Sequence, residues 1–415
     1  MKNWEIKKLG ELSKRKDAVV SGPFGSNLKV SDYKLEGIPI LRLQNIGKGF
    51  FIEKAIKFIN EEKAEELKYH SFITGDLALA KLGIPIGKTC IIPEHLKSGI
   101  ITADIVRIRP DKNLIDYNFL EYFLNTDLSV NQLTGNISGA TRPRVNLSDV
   151  RNIEVPLPPL PEQQRIVAIL DEAFAVIDQA KANAEQNLKN AKELFESYLQ
   201  GVFENKGEDW DEMKLCEIGN AQTGTTPKTA DPENYGDFMP FIKPADVNFS
   251  LIGDIRYDHG GLSEVGLKKG RLMKKGSILM VCIGATIGKV GFSEKDVSCN
   301  QQINSLTVKN DFEPKFIYYA MTSREFQNKV LLEGKGAQAT LPIINKSKWE
   351  NLTISFPNLK KEQQILVENF ETLSSETKKL ETHYQQKIND LDELKKSILQ
   401  KAFLGELKTK EPIAI

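Results

Sequence analysis

Residues 83–89, Gly-Ile-Pro-Ile-Gly-Lys-Thr, form the stretch of the sequence nearest to a nucleotide-binding motif. A phosphate-binding loop has four residues between its glycines and leads into a helix, whose N-terminus binds the phosphate. Here three residues separate Gly83 from Gly87, and the following stretch, 90–93, is strand-like. The pattern therefore predicts a glycine turn between two strands, without a bound nucleotide or any other cofactor.

Residues that could support other catalytic chemistry lack the spacing that such chemistry needs. The four histidines show no serine or carboxylate spacing typical of a catalytic triad: His70, His95, His259 and His383. The four cysteines lack paired metal-ligand spacing, which predicts buried, reduced thiols and no metal: Cys90, Cys216, Cys282 and Cys299. The only Pro-Pro pair, Pro158-Pro159, lies between leucines and does not form the Asn/Asp-Pro-Pro-aromatic motif of an adenine methyltransferase. We therefore expect no enzymatic activity in this chain.

Several turns carry side chains suited to reading DNA. Arginine and lysine donate to guanine, asparagine and glutamine pair with adenine, and further cations bind phosphate. The stretch 141–146 places two arginines on a proline-stiffened turn, and the stretches 42–45 and 243–246 follow predicted strands at equivalent places. The candidate DNA-contacting residues are Arg42, Gln44, Asn45, Lys81, Lys88, Arg142, Arg144, Asn146, Lys228, Lys243, Lys289, Asn300, Gln301, Lys335 and Gln338. For each of them alone, the competing interpretation is a solvated polar side chain.

The length and net charge of the chain exclude fewer classes of protein than its motifs do. A chain of 415 residues is long enough for two to four domains. Its 56 basic and 56 acidic residues cancel, so net charge alone does not predict nucleic-acid binding. Residues 1–155 carry 23 basic and 19 acidic residues, whereas residues 156–205 carry 4 and 8. The absence of a long apolar run and of a signal-peptide core predicts a cytoplasmic protein without a membrane span.

The sequence contains an internal repeat of about 200 residues. The paired positions keep the same order: Trp4 with Trp210, Pro39 with Pro240, Arg42 with Lys243, Asn45 with Asp246, Gly83–Lys88 with Gly284–Lys289, and Phe203 with Phe403. Each copy begins with a mixed part, in which β-type runs such as 38–43, 77–80 and 278–283 alternate with helical stretches such as 117–125 and 314–322. Two copies are too few for a solenoid, so we expect two related domains.

A long helix follows each mixed part. Prolines followed by Glu162 are typical of a helix start. A 4-3 spacing then runs through Ile166, Leu170, Ala173, Ile177, Ala180, Ala184, Asn187, Ala191, Leu194 and Tyr198. The same spacing returns through Leu366, Phe370, Leu373, Thr377, Leu380, Tyr384, Lys387, Leu391, Leu394 and Ile398. Heptad spacing of this kind predicts that the two helices form a coiled coil.

Chain order sets the direction of that coiled coil. The first helix carries the chain to the second mixed domain and the second helix starts there, so helices packed side by side run antiparallel. We expect an α+β fold with pseudo-two-fold symmetry, in which two mixed α/β heads are joined by two long helices. The predicted domains are a head at 1–155, a helical spacer at 156–207, a head at 208–356 and a helical spacer at 357–415. The alternative is that each helix packs only on its own head.

The stretch 158–167, Pro-Pro-Leu-Pro-Glu-Gln-Gln-Arg-Ile-Val, opens a long helix after a mixed domain. It closely resembles the conserved region of the specificity subunits of type I restriction–modification systems. The head starts at Trp4 and Trp210, the glycine-punctuated strand pairs and the stretch 139–144 resemble the same family, so the resemblance covers essentially the whole chain. The second copy departs from it, because Lys360-Lys361 stands where the first copy has Leu160-Pro161.

The resemblance implies a function in DNA recognition. Each head would be a target-recognition domain that reads one half of a split, asymmetric double-stranded DNA sequence. The helices would set the length of the unread spacer and dock two DNA adenine methyltransferase subunits, joined for cleavage by two restriction subunits. The candidate partner-binding residues are Glu162, Gln163, Gln164, Glu362, Gln363 and Gln364. A second interpretation of these six residues is that they stabilise the start of each helix. For the chain as a whole, the alternative function is a coiled-coil scaffold that binds proteins without reading DNA.

Overall fold

The computed structural model describes residues 4–135, 144–248, 254–334 and 342–407. The chain forms two compact units. The first combines Met1–Asn183 with Gln386–Ile415, and the second is Ala184–Gln385. Each unit therefore contains one mixed α/β part, the start of one long helix and the end of the other.

The first unit is built from short strands in small sheets. The strands are β1 (Glu5–Lys8), β2 (Val19–Ser21), β3 (Ile38–Leu41), β4 (Lys57–Ile59), β5 (Ser71–Ile73), β6 (Leu77–Ala80), β7 (Thr89–Ile91), β8 (Ser98–Ile101), β9 (Ile105–Ile108) and β10 (Glu154–Leu157). The sheet orders are β1-β10, β2-β9-β6-β7 and β4-β3-β8-β5. The strands β6 and β9 are buried along their whole length. This explains why β6 is a continuous apolar run without alternation.

The described residues of the mixed part of the first unit also form four short α-helices: α1 (Glu61–Glu66), α2 (Tyr117–Leu124), α3 (Asp127–Thr134) and α4 (Leu147–Arg151). Side chains of polar residues cap their N-termini, as that of Asp116 does for α2 by accepting from the backbone N–H groups of Asn118 and Phe119. The apolar face of α2 packs into the main core of the unit, where Phe119 and Phe123 are buried.

The second unit repeats this plan. Its strands are β11 (Trp210–Lys214), β12 (Gly219–Thr223), β13 (Tyr235–Ile242), β14 (Gly261–Leu262), β15 (Ile278–Val281), β16 (Val290–Phe292), β17 (Ser298–Cys299), β18 (Ile303–Val308) and β19 (Thr353–Pro357). The sheet orders are β11-β19, β12-β18-β15-β16 and β14-β13-β17. The short helices are α6 (Leu215–Ile218), α7 (Glu264–Lys269), α8 (Pro314–Thr322), α9 (Arg324–Gly334) and α10 (Lys346–Glu350). The order β2-β9-β6-β7 matches β12-β18-β15-β16, which confirms the internal repeat.

The two long helices are α5 (Leu160–Glu204) and α11 (Lys360–Leu404), of 45 residues each. In the first unit, Lys395 Nζ lies 2.7 Å from Asp178 Oδ1 and Lys181 Nζ lies 2.6 Å from Asp392 Oδ1. In the second unit, the rings of Phe195 and Tyr198 contact the ring of Phe370. Because residue numbers fall along one helix as they rise along the other, the helices pack antiparallel, as predicted. No helix among the described residues has an apolar stretch suited to crossing a membrane.

Each long helix ends inside the core of a mixed part. Phe203, in the last turn of α5, packs on Trp210 and Phe316 of the second unit, with ring centroids 5.8 and 5.6 Å away. Phe403, in the last turn of α11, packs on Phe119 and Phe123 of the first unit at 5.0 and 5.4 Å. The alternative that each helix packs only on its own head is therefore wrong.

The buried face of the helices departs from the predicted 4-3 spacing. The spacing holds from Ile166 to Ala184 and again at Ala191, but Asn187, Leu194 and Tyr198 are exposed while Phe195 and Leu199 are buried. In α11, Leu380, Lys387 and Leu394 are likewise exposed, and Ile388 is buried instead. A straight helix has 3.6 residues per turn, whereas a seven-residue repeat assumes 3.5. After a few heptads, the buried position therefore moves one residue further along the sequence.

The cysteines differ in their surroundings. Cys90, Cys282 and Cys299 are buried, and burial raises the pKa of each thiol to about 12. These three thiols therefore stay protonated at neutral pH. Cys216 is exposed, so the prediction of burial is wrong at that position, which lies on the solvent side of the short helix α6.

Candidate nucleic-acid interface

A tight turn after strand β3 carries the first group of predicted DNA contacts. Asn45 is completely buried, and its side chain accepts from Arg42 N at 3.0 Å and donates to the carbonyls of Ile52 and Lys54. The Arg42 guanidinium donates to the carbonyl of Ala55 at 2.5 Å and is half-buried. Gln44 is the exposed residue of the turn. The predicted DNA contact of Asn45 does not fit this environment, because its amide is fully used to close the turn.

The equivalent turn after β13 in the second unit is closed in the same way. Asp246 is buried, accepts from Lys243 N at 2.9 Å and lies 2.7 Å from Nδ1 of His259. Lys243 is exposed, and its ammonium lies 5.9 Å from the ring of Phe241. The paired positions 45 and 246 thus have the same structural role in both units, and the neighbouring exposed side chains are free to differ.

The glycine-rich stretch of the first unit is the turn of the antiparallel hairpin β6–β7. Gly83 and Gly87 have positive φ values of 117° and 77°, which favour glycine. Strand β7 follows the glycines where a phosphate-binding loop would require a helix. Lys88 is half-buried, and its carbonyl accepts from Ala80 N at 2.8 Å. The prediction of a glycine turn between two strands is confirmed.

The same hairpin turn recurs between β15 and β16. Gly284 and Gly288 have φ values of 107° and 90°. Lys289 is half-buried, and its Nζ donates to the carbonyl of Val247 at 3.2 Å. The two lysines after the second glycine therefore occupy equivalent positions, and both are half-buried.

A second polar group of the first unit lies beside this hairpin. Lys81 Nζ donates to Ser21 Oγ at 2.5 Å, and Arg144 forms an ion pair with Asp104. The Arg144 side chain is 58% exposed. Partial burial, and then the nearby Arg144, lower the pKa of Lys81, against the raising effect of Asp104. Arg142 lies outside the described residues.

Asn146 follows Arg144 and has a local structural role. Its side chain accepts from Asp149 N at 2.9 Å, and Asp149 in turn accepts from Asn146 N at 2.8 Å. This reciprocal pair is a capping box that starts α4. Asn345 accepts from Lys348 N at 2.9 Å at the start of α10 in the second unit, so the position is a helix cap in both copies.

The corresponding surface of the second unit carries amides where the first unit carries charges. Asn300 is nearly buried, and its side chain donates to Gln302 Oε1 at 2.9 Å and accepts from Gln302 N at 3.1 Å. Gln301 is exposed and accepts from Thr226 Oγ1. Lys228 is also exposed. The side chain of Asn300 is therefore used in hydrogen bonds to Gln302. Lys335 and Gln338 lie outside the described residues.

Gln163 and Gln363, predicted to contact a partner, are buried in the joint between head and helix. Gln163 Oε1 accepts from Asp116 N at 2.8 Å, and its Nε2 donates to the carbonyls of Leu114 and Pro158. Gln363 Oε1 accepts from Glu313 N at 2.8 Å, and its Nε2 donates to the carbonyl of Pro357 at 2.9 Å. Because both side chains are at most 1% exposed, their hydrogen bonds give them a structural role, and their contact with a partner stays a prediction.

The neighbours of these glutamines are more accessible. Gln164 and Gln364 are exposed, and Gln364 Nε2 lies 3.4 Å from Glu313 Oε2. Glu162 forms an ion pair with Arg165 one turn later at 2.7 Å, and Glu362 is half-buried. The exposed members of the predicted partner-binding group are thus Gln164 and Gln364.

Sequence reasoning missed Asp104 and Gln302. Asp104 lies in the turn before β9, and Gln302 lies in the equivalent turn before β18. In the structure, Asn300 N donates to the carbonyl of Ile242 as Thr102 N donates to that of Leu41. The offset between the copies is 198 residues here and 201 at the glycine turns, so the sequence register alone does not point to Asp104. In the described residues, there is no cluster of histidine, cysteine and carboxylate side chains that could hold a metal ion.

Comparison with known proteins agrees with the repeat and the fold. The chain matches the family described as "Type I restriction modification DNA specificity domain" over residues 1–190 and again over 207–390. These two matches cover most of the chain and fall one on each copy of the repeat. The chain therefore belongs to this family.

Individual relatives match most of the chain at low identity. The putative type I restriction enzyme MjaX specificity subunit of Methanocaldococcus jannaschii is 22% identical, over 98% of this chain and 94% of that protein. The type I restriction enzyme EcoBI specificity subunit of Escherichia coli is 24% identical, over 74% of this chain and 69% of that protein.

Solved structures show the same fold. A chain from a study of complex assembly and conformational transition of the type I restriction–modification system has a TM-score of 0.75 at 20% identity, covering 98% of this chain and 99% of that chain. The HsdS subunit from Thermoanaerobacter tengcongensis has a TM-score of 0.63 at 20% identity, covering 98% of each chain. The predicted α+β fold with two mixed heads and two long antiparallel helices is thereby confirmed.

Proposed function

We propose that this chain is the non-catalytic DNA specificity subunit of a type I restriction–modification complex and reads a bipartite, asymmetric target. One observation carries the proposal: the two units share the same turns but present different side chains on them. The turn closed by Asn45 or Asp246 carries Arg42 and Gln44 in one unit and Lys243 in the other. Two equivalent frames with different exposed groups suit two half-sites of different sequence.

We assign the domains accordingly. Residues 1–155 and 208–356 are the two target-recognition domains, and residues 156–207 and 357–415 are helical spacers. The remaining candidate DNA-contacting residues are Arg42, Gln44, Lys81, Lys88, Arg142, Arg144, Lys228, Lys243, Lys289, Gln301, Lys335 and Gln338. The described members of this group lie on turns and at strand ends, where side chains can reach base edges or phosphates.

The partners follow from the repeat and from the family. Two equivalent helix starts, each with an exposed glutamine at Gln164 or Gln364, offer matching surfaces to two copies of one DNA adenine methyltransferase subunit. Restriction subunits join this complex when DNA is cleaved. The complex acts on chromosomal and invading DNA in the cytoplasm.

The test uses the chain together with the methyltransferase subunit of its own system. Methylated adenines are mapped across the genome of a host that expresses both proteins. We expect a single split motif, and exchange of residues 1–155 for another head should change one half of it and leave the other half intact.

A contrary result is equally clear. A stable complex with an active methyltransferase that yields no split motif, or a motif that ignores the head exchange, would contradict DNA readout. The chain would then act as a coiled-coil scaffold that binds proteins only.

A further inference from the structure

Three charged side chains from separate segments converge on one surface of the first unit. Lys81 follows strand β6, Asp104 lies in the turn between β8 and β9, and Arg144 precedes α4. Arg144 pairs with Asp104, and Lys81 N donates to the carbonyl of Asp104 at 2.8 Å. An isolated β-bridge between Leu82 and Arg144 fixes the segments side by side. We call Lys81, Asp104 and Arg144 the charged triad.

The second unit builds the same backbone junction without these charges. Cys282 N donates to the carbonyl of Gln302 at 2.8 Å, as Lys81 N does to Asp104. Ile344 N donates to the carbonyl of Cys282 at 2.9 Å, as Val145 N does to Lys81 at 3.0 Å. The bridge between Ile283 and Ile343 corresponds to that between Leu82 and Arg144. Cys282, Gln302 and Ile343 are therefore the counterparts of Lys81, Asp104 and Arg144.

This correspondence shows that the fold does not need the charged triad. In the second unit the same backbone junction forms with a thiol, an amide and an aliphatic side chain at these positions. Charges at this place also carry a cost, since burial lowers the pKa of Lys81 and so disfavours its charged form. Because the fold does not require the charged triad and partial burial disfavours the charge of Lys81, we expect these side chains to bind a ligand.

The chemistry of the triad matches one base pair. An arginine can donate two hydrogen bonds to O6 and N7 of guanine in the major groove, and an aspartate can accept from the N4 amino group of cytosine. Arg144 is mostly exposed and Asp104 is 31% exposed at its side chain, so both can turn from each other to a ligand. Their ion pair presents donors beside an acceptor, as the edge of a G·C pair requires.

Resting on the function proposed above, we infer that the charged triad reads one G·C base pair in the half-site of the first unit. Arg144 contacts guanine, Asp104 contacts the paired cytosine, and Lys81 holds the carboxylate side of the triad in place through Ser21 and the backbone of Asp104. The counterparts Cys282, Gln302 and Ile343 are uncharged, so the second unit does not read a G·C pair with this junction.

The repeat itself supplies the test variant. The triple substitution Lys81→Cys, Asp104→Gln and Arg144→Ile gives the first unit the side chains that the second unit already accommodates. The single substitution Asp104→Asn keeps the shape, removes the charge and replaces one acceptor oxygen with an amino donor. The control neutralises an exposed ion pair of the same unit, Lys68 with Glu65, through Lys68→Gln and Glu65→Gln. Each variant is expressed in complex with the methyltransferase subunit, and methylated adenines are mapped.

We expect the wild-type first half-site to contain a G·C pair whose requirement is lost in the triple variant. Preference for that pair should fall about tenfold or more, as for loss of a bidentate base contact. The second half-site should stay unchanged, and the control should keep the whole motif. Asp104→Asn should relax the same position alone, which covers the case that the triple variant fails to fold.

Competition binding with oligonucleotides separates base reading from phosphate binding. A fall in affinity that is equal for all sequences, with a shallower salt dependence, would assign the triad to phosphate and overturn the inference. An unchanged first half-site in both variants would overturn it as well. A wild-type complex without any split motif would instead refute the proposed function, and this assignment with it.

Discussion

Gln163 and Gln363 show how one residue type can hold two parts of a protein together. Each side chain lies at the start of a long helix and bonds only to backbone groups, including the N–H of Asp116 in one unit and of Glu313 in the other. A buried amide that bonds in this way fixes the angle at which the helix leaves its head. The exposed neighbours Gln164 and Gln364 remain candidates for binding a partner subunit.

At this scale, Gln163→Leu should destabilise the protein. The substitution leaves the N–H of Asp116 and the carbonyls of Leu114 and Pro158 without the glutamine that now satisfies them, a loss of about 1–3 kcal/mol in the free energy of unfolding. Chemical denaturation followed by circular dichroism measures the change. Gln164→Leu is the matched control and should lie within about 0.5 kcal/mol of wild type. Unchanged stability of Gln163→Leu, with lost methyltransferase binding, would favour the partner-binding interpretation.

The long helices depend on their ends as much as on their shared face. Phe203 and Phe403 are buried in the last turns of α5 and α11, each among aromatic rings of a mixed part. The contacts between the helices include ion pairs in the first unit and aromatic rings in the second. Exposed or partly exposed ion pairs contribute little to stability. We therefore expect Phe203 and Phe403 to contribute more to the free energy of unfolding than the ion pairs do.

The corresponding prediction concerns Phe403→Ala. Removing a fully packed aromatic ring from the core should lower the free energy of unfolding by about 3–5 kcal/mol. Thermal unfolding of the variant measures the loss. Leu394→Ala, at an exposed position of the same helix, is the control and should have a small effect. Equal effects of the two substitutions would contradict the role of Phe403 as the anchor of the helix end.

Element by element, the sequence predicted more of the fold than of the interface. The helices at 117–125 and 314–322, the strands at 77–80 and 278–281, and both long helices follow from periodicity and the repeat. The heptad series failed at Leu194 and Leu380 because a straight helix drifts relative to a seven-residue repeat. The interface was less predictable because an asparagine or glutamine has the same signature whether it reads a base or closes a turn. Asn45 and Gln163 are of the second kind, which only burial and hydrogen-bond partners reveal.

At the scale of the whole molecule, the same plan occurs twice, and each of the two long helices contributes one part to each unit. If the helices set the spacer between half-sites, removing one heptad from the middle of each should shorten it. Seven residues correspond to about 10 Å of helix, or about three base pairs of DNA. Methylation mapping should then give the same two half-sites with a shorter gap. A motif with its original gap would contradict the role of the helices as a spacer.

The hydrogen bonds of Gln163 and Gln363, which join each head to the start of its long helix, also affect how the heads can be exchanged between related genes. On the head side, each joint offers main-chain atoms, namely the N–H of Asp116 or Glu313 and the carbonyls of Pro158 or Pro357. Main-chain atoms are the same in every protein. These hydrogen bonds therefore depend little on which residues the head has at the contacted positions. Recombination between related genes at these two sites can therefore replace a whole head and keep the hydrogen bonds of Gln163 or Gln363. The new head must still offer apolar side chains to Phe203 or Phe403, as Phe316 and Phe119 do here.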